Sequence, residues 1–177
     1  MSEKMEQFLA DQMEAGRVLD AVIAQNEAQS RNMWVIRESV APASRAEGPG
    51  LSYDISVSIS KIPDFIEKGI KAAYDVLPSI RPYPLGHIGD GNLHFSFMGP
   101  VGMDRQTLHQ YSPAITRGVN DLVRDMAGSI SAEHGIGIEK IDELAHYRSK
   151  VELDTMRSLK RALDPKNIMN PGKILRL

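Results

Sequence analysis

A tight hairpin signal constrains the fold of this chain more than any other sequence feature. The pair Asp90-Gly91 separates two short segments, and each of these segments carries a histidine. A two-residue type I′ turn needs positive φ at both central positions, and Asp-Gly is one of the pairs that tolerate it. The flanking segments are therefore predicted to pair as antiparallel strands. A purely parallel sheet is excluded, because parallel neighbours need a long crossover connection.

Helical and strand periodicities surround this hairpin. Apolar residues step by three and four along residues 108–126, and Asp104 stands where an N-cap belongs. A second apolar stripe covers residues 62–74, and polar and apolar residues alternate along 54–59, which indicates a half-buried strand. Together these elements predict an α+β fold: a ferredoxin-like sandwich, with helices on one face of an antiparallel sheet, followed by a C-terminal helical segment.

Three further local signals concern element boundaries. The apolar run at residues 18–24 reads as a buried strand. Asn26, followed by Gln29, resembles a capping box that opens the next helix. Ser60 is the expected cap of the helix that contains Pro63 in its first turn.

Composition limits the classes of function. The 177 residues suffice for one sizeable core, and a formal net charge of −2 argues against nucleic acid as a partner. The chain has no cysteine, so any metal must be held by histidine and carboxylate side chains. No apolar run approaches the roughly 20 residues of a membrane span, and the N-terminal residues are charged. A soluble, cytoplasmic protein is the expectation.

The hairpin brings two histidines together. With a two-residue turn, His87 and His94 would be direct cross-strand neighbours on one face, with Cβ atoms roughly 5 Å apart. Two imidazoles at that separation can share one metal ion. A three-residue loop would shift this register. The alternative is a pair of partly buried histidines bonded to the backbone, with the glycines serving the turn.

A second polar cluster, Glu133-His134, stands between a short predicted strand at residues 129–132 and a glycine-containing turn. The Glu133 carboxylate would complete a set of two histidines and one carboxylate that leaves coordination positions open for substrate or water. His134 would then lie near the same pocket as a general-base candidate. The alternative is an ordinary surface pair of a glutamate and a histidine.

Three motifs in order carry a family resemblance. They are Gly-His-x-Gly-Asp-Gly-Asn-x-His at residues 86–94, Ser-Ala-Glu-His-Gly-Ile-Gly at 131–137, and Asp-Pro-x-Asn-Ile-Met-Asn-Pro-Gly-Lys at 164–173. With residues 34–38 and Tyr53-Asp54, they cover nearly the whole chain. The sequence resembles the C-terminal domain of FAD-linked oxidases of the vanillyl-alcohol oxidase superfamily, which includes D-lactate dehydrogenases, the glycolate oxidase flavin subunit and D-2-hydroxyglutarate dehydrogenase.

The resemblance implies a role for each matching residue. It implies a divalent metal, zinc first and manganese or iron as alternatives, held by His87, His94 and Glu133. The other implied roles are His134 as the catalytic base, Arg37 and Asn92 as substrate-binding residues, and Asn170 as a residue near the flavin. The implied organisation is a ferredoxin-like substrate-binding domain at residues 1–135 and a helical segment at 136–177 that packs on a flavin domain.

The resemblance also implies an activity. The expected reaction is oxidation of a D-2-hydroxy acid to a 2-oxo acid by hydride transfer to FAD, with the metal and a histidine base. Where the 2-hydroxyglutarate enzymes carry a threonine and a lysine, this chain has Ala41 and Ser52. The identity of the hydroxy acid therefore stays open.

The family pairs this domain with an N-terminal FAD-binding domain, which the 177 residues are expected not to include. The chain is therefore expected to be one part of a longer or split enzyme and to be inactive alone. Its expected partners are an FAD-binding domain in cis or in trans, a quinone or a carrier protein as electron acceptor, and a second copy in a homo-oligomer. The acceptor would make the protein peripheral at the membrane. The alternative is a non-enzymatic metal-binding or partner-docking module that has lost its flavin domain.

Overall fold

The structure, a computed structural model, describes residues 2–87 and 89–177, with the side chain of Ser2 excepted. The chain forms two compact units, Met1–Ala46 and Glu47–Leu177. The first contains helices α1 and α2 and most of α3, which span Ser2–Glu14, Glu27–Glu38 and Val40–Glu47. Helix α2 begins as predicted, because the Asn26 side chain accepts a hydrogen bond from the Gln29 N–H at 3.0 Å.

The strand predicted at residues 18–24 is wrong. This segment has neither helix nor strand structure, and no described strand pairs with it. Its side chains Leu19 and Val22 are 96% and 75% exposed. Apolar composition alone does not make a strand, because the backbone N–H and C=O groups of a strand need a partner chain.

The second unit contains a small antiparallel sheet. Its strands are β1 Gly50–Ser56, β2 Arg81–Pro82, β3 Leu85–Gly86 and β4 Asn92–Met98. Strand β4 lies in the centre, with β1 on one side and both β2 and β3 on the other. Strands β2 and β3 share one register on β4, and the Tyr83 N–H bonds the Ser96 carbonyl between them at 2.9 Å. They form a single interrupted edge strand, and the predicted antiparallel pairing is confirmed.

The register of the hairpin differs from the two-residue turn. Leu85 lies opposite His94, and the His87 N–H donates to the Asn92 carbonyl at 2.9 Å. Four residues rather than two therefore separate the paired positions, and the prediction of His87 directly opposite His94 is wrong. The residue opposite His87 is Asn92 instead of His94, a difference of two positions along β4, which is one full repeat of the side-chain alternation. The two histidines therefore remain on the same face as diagonal neighbours.

Two helices cover the apolar face of the sheet. Helix α4 spans Ile62–Val76, and α5 spans Arg105–Asp125. Asp104 caps α5 as predicted, accepting from the Thr107 N–H at 2.8 Å. Ser60 does not cap α4, because a 3₁₀ turn at Ile59–Lys61 precedes the helix. The core between sheet and helices contains Tyr53, Ile55, Phe65, Ala73, Leu93, Phe95, Phe97, Leu108, Ile115, Val119 and Val123. The α+β prediction is confirmed.

The C-terminal segment contains α6, Ile141–Tyr147, and α7, Lys150–Leu163. Ser149 and Glu152 form a reciprocal capping box at the start of α7. No helix within the described ranges is long and apolar enough to cross a membrane. The boundary after residue 135, and the packing of residues 136–177 on a flavin domain, remain predictions.

Candidate active site

The polar face of the sheet forms the floor of the candidate site. Because side chains alternate along a strand, the core-facing residues of β1 and β4 leave polar residues on the opposite face. These are Ser52, Asp54 and Ser56 on β1 and Asn92, His94 and Ser96 on β4. Asp54 lies directly opposite His94, and the hydroxyls of Ser52 and Ser96 are 2.9 Å apart. The centre of this face therefore holds an imidazole beside a carboxylate.

The segment after α5 brings Glu133 and His134 to this face. Ser129 exchanges two backbone hydrogen bonds with Ser56 at the end of β1. This isolated bridge stands in place of the short strand predicted at residues 129–132. The Asp54 carboxylate then accepts the N–H of Glu133 at 3.1 Å and the N–H of His134 at 2.9 Å. Both residues are thereby fastened to the strand that pairs with His94.

Burial would raise the pKa of Asp54, whose side chain is almost fully buried. The hydrogen bonds from the backbone N–H groups of His134 and Glu133, with smaller contributions from the charges of His134 and Lys140, outweigh burial and lower the pKa below its usual range. The carboxylate is therefore an anion at neutral pH.

Three side chains converge above the sheet. His94 Nε2 lies 3.3 Å from Glu133 Oε1, and His134 Nε2 lies 3.5 Å from the same oxygen. The rings of His94 and His134 are stacked, with centroids 5.7 Å apart. One ligand atom from each of Asp54, His94, Glu133 and His134 lies within 4.8 Å of the others.

This cluster fits a divalent metal. Two ligand atoms that bind the same tetrahedral zinc ion, each at about 2.0–2.1 Å, lie roughly 3.4 Å apart. This is close to the 3.3 Å between His94 Nε2 and Glu133 Oε1. Imidazole and carboxylate suit zinc, manganese and iron. The Glu133 side chain is 43% exposed and reaches solvent, so the cluster is open on one side.

His87 lies at the edge of this cluster. Its ring meets that of His94 edge to face, with centroids 5.5 Å apart. Its Nδ1 lies 3.7 Å from Asp90 Oδ2, and His87 is not among the four residues whose ligand atoms are mutually close. The role of His87 as a metal ligand stays a prediction.

The remaining predicted residues have different surroundings. Asn92 is buried on the polar face, and its Oδ1 is a buried side-chain acceptor with no hydrogen-bond partner among the described residues. Arg37 is exposed on α2 in the first unit, and Asn170 is exposed in the C-terminal tail with a φ of +49°. Their roles in binding substrate and flavin remain predictions.

A cavity of about 460 Å³ lies beside His134. Its lining includes Ser52, Asp54, residues 134–140 and Lys173. Lys140 donates to the Ile130 carbonyl at 2.9 Å and lies 3.9 Å from Asp54 Oδ2. Burial lowers the pKa of Lys140, against the opposing effect of the charges of Asp54 and Glu139. Two ammonium groups therefore line the space next to the cluster.

The tail reaches this cavity through one backbone bond. The Ile174 N–H donates to the Gly137 carbonyl at 2.7 Å, which holds Lys173 against the loop that follows His134. Sequence reasoning assigned no site role to Asp54, Lys140 or Lys173. Asp54 had a usable signal, because it occupies a polar position of an alternating strand. Lys140 had no such signal, because its place depends on contacts with distant residues.

The fold and cluster define an α+β domain that presents histidine and carboxylate side chains on the open face of a sheet. Residues 1–174 match the family described as FAD linked oxidases, C-terminal domain. The chain belongs to this family.

Similar proteins share nearly the whole chain. The D-2-hydroxyglutarate dehydrogenase of Stutzerimonas stutzeri (strain A1501) is 38% identical over 175 residues, which are 97% of this chain and 38% of that protein. The probable mitochondrial D-2-hydroxyglutarate dehydrogenase of Oryza sativa subsp. indica is 38% identical over 172 residues, 97% of this chain and 29% of that protein. The mitochondrial D-2-hydroxyglutarate dehydrogenase of Arabidopsis thaliana is 36% identical over 173 residues, which are 98% of this chain and 30% of that protein. The chain spans about a third of the length of these relatives.

Proposed function

We propose that this chain forms the substrate-oxidising part of an FAD-dependent D-2-hydroxy acid dehydrogenase. In this proposal the chain acts together with an FAD-binding domain, in cis or in trans, and delivers electrons to a quinone or a carrier protein. Family membership and relatives named D-2-hydroxyglutarate dehydrogenase support the class of reaction. A cytoplasmic location, at the membrane through the electron acceptor, and a homo-oligomeric state belong to the same proposal.

The observation that carries the proposal is the position of Glu133 Oε1 between two imidazoles. The oxygen lies 3.3 Å from His94 Nε2 and 3.5 Å from His134 Nε2, at a surface that solvent reaches. A carboxylate shared by two histidines on an open face provides ligands for a metal and a proton acceptor in the same place. His87, His94 and Glu133 would hold the divalent ion.

Each residue has a chemical task in this reaction. A bound divalent ion supplies Lewis acidity towards the hydroxyl and carboxylate oxygens of the substrate, and FAD supplies the hydride acceptor. His134 accepts the hydroxyl proton at an imidazole nitrogen. Its side chain is 63% exposed and adjoins the cavity, so a substrate in the cavity can reach this nitrogen. Arg37 holds the substrate carboxylate by paired N–H donors. Asn92 contributes an amide whose oxygen has no hydrogen-bond partner among the described residues, and Asn170 would lie near the flavin.

The substrate is a small 2-hydroxy acid. Ser52 is part of the wall of the cavity beside His134, at a position where the resemblance implies a lysine for 2-hydroxyglutarate. Two lysines of this chain, Lys140 and Lys173, line the same cavity, together with the carboxylates of Asp54 and Glu139. A comparison of kcat/KM for several 2-hydroxy acids on the flavin-loaded enzyme identifies the preferred substrate.

Metal binding by the purified chain tests the proposal. We expect one zinc ion per chain in competition with a chromophoric chelator, and we expect His94→Ala to lower the zinc affinity at least about 10-fold because a ligand is lost. His109→Ala is the matched control, since His109 is an exposed histidine on α5. A chain that binds no zinc, or that binds it equally well after His94→Ala, contradicts the metal site.

A further inference from the structure

Asp54 connects the two halves of the candidate site. Its strand β1 pairs with β4 so that Asp54 lies directly opposite His94. Its carboxylate reaches in the other direction, to the segment that carries Glu133 and His134. Asp54 therefore combines two positions: it lies opposite His94 in the sheet, and its side chain accepts hydrogen bonds from the backbone of both Glu133 and His134. No other residue in the described part of the chain does both.

The oxygens of this carboxylate are already engaged. Oδ2 accepts the N–H of His134 at 2.9 Å, the N–H of Glu133 at 3.1 Å and the Ser131 hydroxyl at 3.2 Å. Oδ1 accepts the Glu133 N–H at 3.3 Å. With three donors, Oδ2 has used its acceptor capacity, which favours a role of this oxygen in holding the loop over direct coordination.

The charge of Asp54 is compensated within the same segment. Lys140 Nζ lies 3.9 Å from Oδ2 and donates to the Ile130 carbonyl, just before the anchored residues. Burying a carboxylate costs free energy unless donors satisfy it, and here backbone N–H groups, a hydroxyl and a nearby ammonium all do so. Removal of the carboxylate would leave two backbone N–H groups and one hydroxyl without their acceptor.

We propose that Asp54 is a positioning residue that sets the placement of Glu133 and His134 relative to His94 and so tunes metal binding without touching the metal. This inference rests on the proposed function for its metal. Its structural half, the anchoring of the Glu133-His134 backbone, is measurable on the metal-free chain. The metal site and the anchoring of the backbone can therefore be contradicted independently of each other.

The test compares Asp54→Asn and Ser131→Ala with the unmodified chain. Ser131→Ala removes one donor to Asp54 and leaves every carboxylate and imidazole of the cluster in place. We expect Asp54→Asn to weaken zinc binding about 10- to 100-fold, the usual cost of losing a partner that orients a ligand, and Ser131→Ala to weaken it a few-fold. Asp75→Asn on α4 is the control, because Asp75 is an exposed aspartate paired with Lys71.

Two further readouts separate positioning from coordination. In the metal-free chain, amide hydrogen exchange of Glu133 and His134 should be faster by about 10-fold or more in Asp54→Asn, because a neutral amide is a weaker acceptor and offers one oxygen where the carboxylate offers two. After saturation with cobalt, the visible absorption spectrum of both variants should match that of the unmodified chain, because the ligands are the same.

Each result decides between the roles. A changed cobalt spectrum in Asp54→Asn together with unaltered zinc affinity in Ser131→Ala would make Asp54 a ligand and overturn the proposal. Unaltered amide exchange and zinc affinity in Asp54→Asn would also overturn it. If the unmodified chain binds no zinc, the metal site fails, and amide exchange alone decides whether Asp54 anchors the loop. If Asp54→Asn does not fold, Ser131→Ala and Lys140→Met decide, and unchanged exchange and affinity in both would refute the anchor.

Discussion

Glu133 and His134 are neighbours in sequence that the proposal gives different tasks. Glu133→Gln should lower zinc affinity, because a neutral amide is a poorer ligand than a carboxylate. His134→Ala should retain the metal and lower kcat of the flavin-loaded enzyme by about 10²- to 10⁴-fold, with partial recovery at high pH, as expected for loss of a general base. Metal content and pH–rate profiles of both variants measure this division. Loss of metal in His134→Ala but not in Glu133→Gln would reverse the assignment.

Three of the four side chains in the cluster were predicted from the sequence to lie together, and the fourth, Asp54, was not. His94, Glu133 and His134 were predicted to share a site, and the structure places their side chains in one cluster. Asp54 was recognised only as part of a strand and of a family motif. Its function as an acceptor depends on residues 77 to 80 positions away, and no local pattern indicates that contact.

The packing of α4 on the sheet depends on one residue without a side chain. A Cβ added at Gly69 would lie 2.7 Å from the buried ring of Phe95. Gly69→Ala should therefore destabilise the protein by about 1–2 kcal/mol, because overpacking outweighs the gain in helix propensity. The urea denaturation midpoint measures the change.

Helix α5 offers the matched control for this prediction. A Cβ added at Gly118 would meet only the Ala72 Cβ, at an ordinary contact distance of 3.5 Å. Gly118→Ala should stabilise the protein by about 1 kcal/mol through helix propensity alone. Equal shifts of the two denaturation midpoints would show that the contact between Gly69 and Phe95 does not limit the approach of α4.

Element prediction succeeded where the signal was local. The caps at Asn26 and Asp104 were both found, because a cap depends on a side chain and an N–H three residues away. The strand at residues 18–24 failed, because pairing needs a second strand that the run itself does not specify. Ser60 is the exception among the local signals, because it lies inside the 3₁₀ turn Ile59–Lys61 and α4 begins only after this turn, at Ile62.

A buried carboxylate in the C-terminal segment makes the stability of the whole molecule depend on pH. The Lys160 ammonium, together with the backbone N–H groups of Met169 and Ile168, lowers the pKa of Asp164 against the effect of burial. A carboxylate with a lowered folded-state pKa stabilises the protein above its unfolded pKa of about 3.9. This stabilisation is lost as the pH falls through the folded-state value.

Asp164→Asn tests this linkage. At pH 7 the variant should have a lower denaturation midpoint than the unmodified chain, and the difference should shrink as the pH falls below the unfolded pKa of about 3.9 towards the lowered folded-state pKa. Asp75→Asn, at an exposed carboxylate, should show only a small effect at either pH. A difference that stays constant between pH 7 and pH 3 would mean that Asp164 acts through its shape and not through its charge.

By itself, the sequence determined the properties that depend on near neighbours. These are the alternation that gives β1 and β4 one polar face, the apolar stripes of α4 and α5, and the α+β class that follows from them. It also determined that His87 and His94 share a face, because a shift of two positions in register preserves the alternation of side chains.

Only the tertiary structure decided which distant groups meet. The hairpin register, the anchoring of residues 131–134 on Asp54 and the attachment of the tail at Gly137 each close a loop between separate parts of the chain. Whether such a closure forms depends on the core beneath it, because the entropy lost in ordering the loop must be offset by packing and hydrogen bonds formed elsewhere. The types of side chain at the site can therefore be predicted from the sequence, whereas the distances between these side chains are set by the folded molecule.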